Sequence, residues 1–461
     1  TYYLAHFLKL SLLLVIHFRI GGLRQSRAKS LYGVKHSMTT PNQQLPRLLQ
    51  WWITPQLPSH YFFALPRPKT VVTIARHYLV QLLFHPIKRR IAKYHVKFLQ
   101  TVGRTQVVGI TGSVGKTTTK EMIASVLSQK YRTVSSLGNI DPVYNIPTTV
   151  LTATLRTQML VLEMGVEYPR DMDFYLWMVK PAVGVLNNIY WTHTEFLGGV
   201  EGVAAEKSKL ILSLPKNGWA VLCGDDRRVT ALKSETHAQV VMYSFRPGGA
   251  KEEVRAQDVR ITKELNTEFI LHIAGESEKV QLPVLGEHFV YSALAAAAVG
   301  HTQQVPIIAI KRGLETFTPQ PHRMVPVRTK SGALLLDDTY NSNPLGAKAA
   351  LETLVQVGKG KKKIAVLGDM LELGAYTEKG HKEVGRWAAQ KGVNMLVCVG
   401  EYANFLAEGA REGGMKKEDI VMFPTGRSAL KALKPLLSRT SVVLFKASRK
   451  LGFERLVEIL R

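Results

Sequence analysis

Apolar residues recur at roughly helical spacing between residues 70 and 100. They are Val71, Ile74, Leu79, Leu82, Leu83, Ile87, Ile91, Val96 and Leu99. Spacings of three and four residues place side chains on one face of an α-helix. Arg and Lys residues stand between the apolar ones, so the pattern predicts a basic amphipathic helix.

Three interpretations of this helix are open. A basic amphipathic helix commonly lies on an anionic membrane surface. The same residues suit a helix that packs on the next domain with its basic face in water, and binding to nucleic acid is the least favoured. The apolar segment 2–20 could act as a membrane helix or signal-like element. Its uncharged stretch between Lys9 and His17 is, however, shorter than the ~20 residues of a spanning helix.

Beyond residue 105 the pattern changes to short apolar runs that alternate with helical segments. Runs at 106–110, 159–163, 183–187 and 219–223, with a helix at 116–129, predict a parallel α/β sheet. After a Pro-rich linker at 318–321, runs at 333–337, 363–367, 395–399 and 442–446 predict a C-terminal doubly wound, Rossmann-like domain. The expected organisation is a basic helical extension (1–105), a central P-loop-type domain (106–318) and a C-terminal domain (322–461).

Charge separates the extension from the rest of the chain. The formal net charge is +26, but residues 1–120 contain 18 Lys and Arg residues and no acidic residue. The remaining residues are nearly balanced, which indicates an ordinary enzyme behind a basic extension with an anionic partner. Two cysteines, Cys223 and Cys398, are too few for a disulfide framework and fit a cytoplasmic protein.

A glycine-rich turn follows the run at 106–110, and its residues are Gly112, Ser113, Val114, Gly115, Lys116, Thr117 and Thr118. Such a turn brings backbone N–H groups close to phosphate oxygens at a helix N-terminus. The lysine reaches the outer phosphates, and the hydroxyl binds Mg²⁺. The turn therefore predicts an ATP site with a catalytic role for Lys116.

This turn and several later segments together resemble the Mur ligase superfamily. The segments are Leu162-Glu163-Met164-Gly165, Asn187-Asn188-Ile189 with His193 and Lys207, Gly286-Glu287-His288, Asp337-Asp338-Thr339-Tyr340-Asn341-Ser342-Asn343-Pro344, Leu367-Gly368-Asp369-Met370-Leu371-Glu372-Leu373-Gly374 and Lys446-Ala447-Ser448-Arg449. The Asp337 and Leu367 segments look like the MurF type, which joins D-alanyl-D-alanine to UDP-N-acetylmuramoyl-tripeptide. The resemblance implies an amide ligase that forms an acyl phosphate, with ATP, the tripeptide acceptor and D-Ala-D-Ala as partners.

The resemblance also assigns roles to individual residues. Thr117 and Glu163 are expected to hold one Mg²⁺, and His193 and a carbamylated Lys207 a second one. Expected nucleotide contacts are Asn139, Arg323 and Asp338. Expected substrate contacts are Asn341, Asn343, Asp369, Lys446 and Arg449.

The chain departs from the family pattern at several positions. Phe289 and Ser292 replace asparagines on the adenine side, and Asn145 and Ala447 replace glycines. Residues 1–105 do not resemble the small α/β domain that grips the UDP-sugar. A related ligase of polyglutamylating or cyanophycin type, or a weakly catalytic nucleotide-binding protein anchored at the inner face of the membrane, are therefore the alternatives.

Overall fold

A computed structural model describes residues 51–52, 70–138, 140–192, 194–245 and 254–461. All of them lie in one compact unit, residues 45–461. The apolar segment 2–20 and most of the Pro-rich segment 37–70 lie outside the described residues, as do Asn139 and His193. Among the described helices, none combines the length and apolar character needed to cross a bilayer.

The predicted basic helix is present, with an irregularity in its middle. Helix α1 (Val71–Leu79) continues through a π-helical turn (Val80–Phe84) into helix α2 (His85–Thr101). Thr70 caps α1, since its hydroxyl accepts from the Thr73 backbone N–H. Within residues 70–105 the structure is helical and contains no strand.

The central sheet has nine strands. They are β1 (Gln106–Thr111), β2 (Thr133–Ser135), β3 (Met159–Glu163), β4 (Val183–Leu186), β5 (Trp219–Cys223), β6 (Gln239–Ser244), β7 (Val254–Ile261), β8 (Thr267–Ile273) and β9 (Glu276–Leu282). The surrounding helices are α3 (Lys116–Ser128), α4 (Pro142–Thr152), α5 (Asp171–Met178), α6 (Thr194–Leu197), α7 (Val200–Leu212), α8 (Arg227–Ala231), α9 (His288–Thr302) and α10 (Ile307–Thr316).

The strand order explains where ligands bind. The order is β2-β3-β1-β4-β5-β6-β7-β8-β9, and β1 pairs in parallel with both β3 and β4. Chain connections diverge on either side of β1, and ligands of open α/β sheets bind at such a point. The glycine-rich turn directly follows this strand.

The C-terminal sheet has six strands, of which five are parallel. They are β10 (Val325–Arg328), β11 (Leu334–Asp337), β12 (Lys362–Gly368), β13 (Met395–Val399), β14 (Ile420–Phe423) and β15 (Ser441–Lys446), in the order β10-β11-β15-β12-β13-β14. Its helices are α11 (Pro344–Val357), α12 (Thr377–Gln390), α13 (Ala403–Glu412), α14 (Gly426–Leu433) and α15 (Glu454–Leu460). The predicted α/β class is confirmed, and each predicted strand agrees with an observed one to within a residue at either end.

The sheets are not purely parallel, however. Strands β7, β8 and β9 pair in an antiparallel manner and extend the central sheet, and β10 is antiparallel to β11. Residues 254–282 alternate exposed and buried positions, because one face of this extension meets solvent.

Candidate active site

The glycine-rich turn joins β1 to α3. Gly115 has φ +83°, a left-handed conformation that an L side chain strains. It lies immediately before α3, so the backbone N–H groups of the first helical turn face outward from the end of β1. N–H groups and the positive end of a helix in this arrangement can bind an anion.

Asn188 holds the turn in place. Its side-chain oxygen accepts from the backbone N–H groups of Ser113 (3.1 Å) and Val114 (2.8 Å), and its amide donates to the Val114 carbonyl (3.1 Å). Two N–H groups that the sequence assigned to phosphate are therefore engaged with Asn188. The nearby Tyr190 backbone N–H donates to the Ser113 hydroxyl at 2.8 Å. Phosphate contacts by Ser113 and Val114 stay a prediction.

Four predicted residues come together beyond the turn. The Thr117 hydroxyl lies 3.3 Å from Glu163 Oε1 and 3.4 Å from an Arg323 guanidinium nitrogen. Burial lowers the pKa of the neighbouring Lys116, although the charge of Glu163 opposes that shift and the charge of Arg323 adds to it. Arg323 precedes β10, so the C-terminal part of the chain contacts the glycine-rich turn, here also called the ATP-binding turn after its predicted ligand.

Lys207 lies inside the protein on α7. Its side chain is fully buried, and its amine has no hydrogen-bond partner among the described residues. Burial, followed by the charge of Lys116, holds the pKa of Lys207 well below its usual value. Asp171, Glu206 and Glu163 act in the opposite direction. A buried amine that favours the neutral form is unusual for a structural lysine.

Asp171 is a buried acid that the sequence did not single out. One oxygen accepts from the backbone N–H groups of Glu167 (3.0 Å) and Tyr168 (2.9 Å), and the other is buried with no partner in the described part of the chain. Burial raises the pKa of Asp171 to about 7. Its charge acts on Lys207, which places it beside the predicted site.

The loop before Asn139 is held by a buried lysine. The amine of Lys120 donates to the carbonyls of Ser136 (2.5 Å) and Gly138 (2.9 Å), and its side chain is fully buried. From the other side, the Asn145 amide donates to the Leu137 carbonyl at 2.9 Å. Asn145, which replaces a glycine of the family, thus braces the loop that carries Asn139.

The C-terminal sheet presents a second charged group. Lys446, at the end of β15, donates to Asp338 (2.6 Å) and to the Asn341 carbonyl (3.0 Å). Burial raises the pKa of Asp338, against the opposing charge of Lys446. Tyr340 lies between two cations, with the guanidinium carbons of Arg323 and Arg449 at 4.2 Å and 5.3 Å from its ring centre.

Two predicted substrate contacts have structural partners instead of open side chains. The Asn343 oxygen accepts from the Gly346 N–H at 2.8 Å and caps α11. Both oxygens of Asp369 accept backbone N–H groups, from Glu401 and from Tyr402, at 2.9 Å each. Their contact with substrate stays a prediction.

The residues on either side of His193 in the sequence contact the C-terminal domain. The Thr194 hydroxyl donates to the Leu373 carbonyl at 3.0 Å, and the Trp191 ring stacks on Tyr376 with centres 5.0 Å apart. Gly374 has φ +53°, and a side chain there would meet Glu195 Cα at 2.9 Å. The two sheets are thus joined through Trp191 and Thr194 and again through Arg323.

The segment after Gly286 has side chains that differ from the family pattern. The Ser292 hydroxyl accepts from Thr119 at 3.0 Å, behind the ATP-binding turn. His288 contacts Phe289, with ring centres 4.2 Å apart. Burial, together with the charges of Lys446 and Arg323, lowers the pKa of His288 to about 3.

The side chains present fit a divalent cation and a modified lysine. Glu163 Oε2 is buried and unpaired within the described residues, while Oε1 faces the Thr117 hydroxyl. Mg²⁺ prefers such oxygen ligands and retains waters and phosphate oxygens as the others. No cluster of three or more His, Cys, Asp or Glu residues forms a complete metal site in the part of the chain that is described. The described residues therefore offer a sparse ligand set.

These features are typical of a P-loop enzyme in which a second α/β domain contributes a residue beside the glycine-rich turn. Residues 110–300 match the Mur ligase middle domain, and residues 322–449 match the Mur ligase glutamate ligase domain. The chain belongs to the Mur ligase family and is an ATP-dependent ligase that forms amide bonds.

Named relatives share most of their length with this chain. The UDP-N-acetylmuramoyl-tripeptide–D-alanyl-D-alanine ligase of Bacillus subtilis is 33% identical over 361 residues, which are 78% of this chain and 77% of the relative. Its Escherichia coli counterpart is 31% identical, with 77% of each chain covered.

Solved structures support the same grouping. MurF from Acinetobacter baumannii superposes with a TM-score of 0.73 at 29% identity, with 82% of this chain and 80% of that chain covered. MurF from Thermotoga maritima, solved in complex with ADP, gives 0.70 at 27% identity, with 82% and 83% covered.

Proposed function

We propose that this ligase adds D-alanyl-D-alanine to UDP-N-acetylmuramoyl-tripeptide, in peptidoglycan precursor synthesis in the cytoplasm. One observation carries the ATP-driven part of the proposal. Arg323 from the second domain reaches Thr117 of the ATP-binding turn, beside Lys116 and Glu163. The choice of substrates is supported by the named relatives, which are at least 31% identical over most of both chains.

The proposed reaction has two steps. A carboxylate oxygen of the acceptor attacks the γ-phosphorus of ATP, the bond to the β-phosphate oxygen breaks, and ADP leaves. The amine of the dipeptide then attacks the acyl carbon, phosphate leaves, and the amine loses a proton to solvent. The first step brings two anions together, so cations such as Lys116 and Arg323 lower its barrier.

Mg²⁺ would supply further positive charge between the phosphates. Thr117 and Glu163 are the residues proposed to hold one ion, and His193 and Lys207 a second. For Lys207, a carbamate would convert the buried amine into an anionic oxygen ligand. The buried environment of Lys207 suits this modification, because only the neutral amine combines with CO₂ and burial favours that form.

Roles are also proposed for the remaining predicted residues. Asn139 and Asp338 are proposed to contact the nucleotide, and Lys446 and Arg449 the incoming substrate. The pairing of Lys446 with Asp338 supports this, since it places a cation at the carboxyl end of a sheet strand. Asn341, whose carbonyl accepts from Lys446, belongs to the same group.

A phosphate-release assay tests the proposal. We expect release only when ATP, the UDP-linked tripeptide and D-Ala-D-Ala are all present, and we expect Lys116→Ala to abolish it. Turnover with another amino acid or peptide but none with D-Ala-D-Ala would contradict the substrate assignment. Unchanged release by Lys116→Ala would contradict the ATP site.

The carbamate has its own test. Carbon NMR of the protein with labelled bicarbonate should show a carbamate resonance that is absent from Lys207→Ala. A parent protein with no such resonance would rule the modification out, whatever its activity.

A ligase with a different acceptor is the second candidate. The described part of residues 70–105 is helical and differs from a sugar-binding α/β domain. A panel of UDP-linked and UDP-free acceptors in the same assay separates the two candidates. Attachment of residues 70–100 to the inner face of the cell membrane is a separate proposal. The exposed apolar side chains of α2 support it.

A further inference from the structure

Helix α2 carries apolar side chains on the side that faces away from the protein. Large apolar residues recur along this side at Ile87, Ile91, Tyr94, Phe98 and Val102, here called the outer face. Their exposed fractions are 45%, 55%, 66%, 49% and 59% in that order. More than half of the exposed large apolar side chains among the described residues lie at or before Val102. Scattered exposed apolar residues are normal, but a continuous stripe marks a binding surface.

The outer face is distinct from the face that packs on the protein. At ~100° per residue, the five positions fall within a stripe about 80° wide. Ala92, Val96 and Leu99 point to the opposite side and are at most 1% exposed. The helix therefore has two apolar faces, of which the inner one already has its partner.

The inner face is firmly docked. Arg89 is 1% exposed, and its guanidinium carbon lies 5.9 Å and 5.5 Å from the ring centres of Tyr144 and Phe174. Lys88 donates to the Thr148 hydroxyl at 2.8 Å, and His95 shares a 2.9 Å hydrogen bond with the Ala153 carbonyl. These contacts fix the rotation of α2, so the outer face is not available to turn inward.

Cations border the outer face. Lys88 stands along one edge, and Arg90 and Lys97 stand along the other at helical spacing. Arg90 also stacks on Trp51 and Trp52, with guanidinium-to-ring distances of 5.2 Å and 4.9 Å. No acidic residue occurs before Glu121, so nothing on this segment offsets the positive charge.

The apolar surface continues beyond α2. In α1 and the π-helical turn, Val71, Val72, Leu79 and Phe84 are 84%, 75%, 58% and 58% exposed. At the other end, Leu155 is 54% exposed and lies beside Gly103. The surface thus extends over the whole length of the described N-terminal helices.

We propose that the outer face is a docking surface for an anionic phospholipid bilayer. The apolar stripe would enter the boundary between headgroups and acyl chains while the exposed Lys97 at its edge contacts the headgroups, as in interfacial helices. Lys88 and Arg90 add positive charge nearby, although they also donate to Thr148 and to the Trp51 carbonyl. The helix lies along the membrane instead of crossing it. The ligase is thereby held at the membrane surface by residues that do not belong to its active site.

The charge pattern excludes two other occupants on physical grounds. A second copy docked through the same face would oppose its cations to identical cations, with no acid to compensate. Nucleic acid would neutralise the cations, but its phosphates would leave the apolar stripe uncovered. A bilayer satisfies both the apolar stripe and its charged edges.

Vesicle co-sedimentation of the full chain tests the proposal. Vesicles of equal phosphatidylglycerol and phosphatidylcholine should bind the parent protein, and phosphatidylcholine alone should bind it at least about tenfold more weakly. Raising the salt from about 0.05 M to 0.5 M should reduce binding severalfold, because the Debye length shortens. Failure of the parent to bind anionic vesicles at low salt would overturn the proposal.

Matched variants locate the surface. The double variant Ile91→Asp with Phe98→Asp places charge in the stripe and should lower binding at least about tenfold. Ile308→Asp on α10 changes an apolar side chain of similar exposure, 52%, and should bind like the parent. Equal binding by the double variant and the parent would refute the assignment to the outer face.

Two further readouts separate membrane docking from its alternatives. The phosphate-release rate of the double variant should equal that of the parent, which shows that the variant is folded. Vesicle binding itself does not depend on the ligase assignment. In sedimentation velocity without lipid, the parent and the double variant should have the same oligomeric state. An oligomer lost in the double variant, or DNA binding that the double variant loses together with vesicle binding, would reject the bilayer as the partner.

Discussion

At the scale of single residues, Lys120 shows how a buried charge shapes the nucleotide site. Its ammonium group satisfies two loop carbonyls and lies 2.8 Å from Glu121. A buried cation is tolerated only when it is paired and hydrogen-bonded in this way. The loop that leads to Asn139 therefore depends on a side chain in α3, the helix that follows the glycine-rich turn.

We predict that Lys120→Met weakens ATP binding. The change leaves the Ser136 and Gly138 carbonyls without their donor and should destabilise the protein by about 1–3 kcal/mol. The KM for ATP should rise severalfold, with a smaller change in kcat. Thermal melting and steady-state kinetics measure both effects.

Lys130→Met is the matched control. Lys130 also donates to a carbonyl, that of Gln304 at 2.7 Å, but at an exposed position. Its loss should change stability by less than about 0.5 kcal/mol. A KM for ATP that stays unchanged in Lys120→Met would show that the loop does not need this support.

The sequence identified residues that come together at the end of β1, although their individual roles stay predictions. Lys116, Thr117, Glu163 and Arg323 were assigned from the sequence and lie together in the structure. The engagement of Asp369 with two backbone N–H groups could not be read from the sequence. It depends on the turn after β13, about thirty residues further along the chain.

At the scale of elements, α2 is held to the protein partly through His85. The imidazole lies against the Tyr144 ring, with ring centres 5.0 Å apart. Burial, and then the charges of Arg89, Lys88 and His77, lowers the pKa of His85 to about 4. The folded state therefore holds this histidine neutral.

We predict that acidification destabilises this packing. Below the ordinary histidine pKa of 6.5, the unfolded state binds a proton that the folded state does not, so stability falls as the pH drops from there towards about 4. The contribution should be about 1 kcal/mol, because the side chain is half-buried and solvent screens it. His85→Phe keeps the ring and should flatten this part of the pH profile.

Urea denaturation at about pH 5 and about pH 7.5 measures the effect. His237→Phe alters an exposed histidine on the central domain and should leave the profile as in the parent. If His85→Phe retains the full loss of stability at the lower pH, other groups control it.

Several strands with a continuous apolar pattern were predicted well, although the mostly apolar β6 and β14 were not among them. Buried parallel strands such as β3 and β5 appear as uninterrupted apolar runs, and both were located to the residue. Strands β7 and β9 were missed because charged residues alternate through them on the solvent side. The partner of α2 was left open, since a helical period does not identify what its apolar face contacts.

At the scale of the whole molecule, the two sheets meet on both sides of the ATP-binding turn. Arg323 forms one connection, and the stack of Trp191 on Tyr376 forms another. Lys379 lies over the same Trp191 ring at 4.7 Å. Domains that flank a nucleotide site commonly close around their ligand.

We predict that Tyr376→Ala lowers catalytic efficiency without touching the ATP-binding turn. Loss of the aromatic stack should cost about 0.5–1.5 kcal/mol of the closed arrangement, which corresponds to a fall of roughly twofold to tenfold in kcat/KM. Steady-state kinetics and the radius of gyration in solution report the change.

Tyr376→Phe retains the ring and serves as the control, with kcat/KM close to that of the parent. If Tyr376→Ala is as active and as compact as the parent, the Trp191 contact does not contribute to closure.

The docked inner face of α2 has a practical consequence for anyone who produces this protein. Ala92, Val96 and Leu99 belong to the same apolar core as β1 and α4. A shortened polypeptide that starts at residue 105, near the first residue of the family match, would uncover Tyr144, Phe174 and Trp177 to water. Such a fragment should aggregate during expression even though it keeps every proposed catalytic residue.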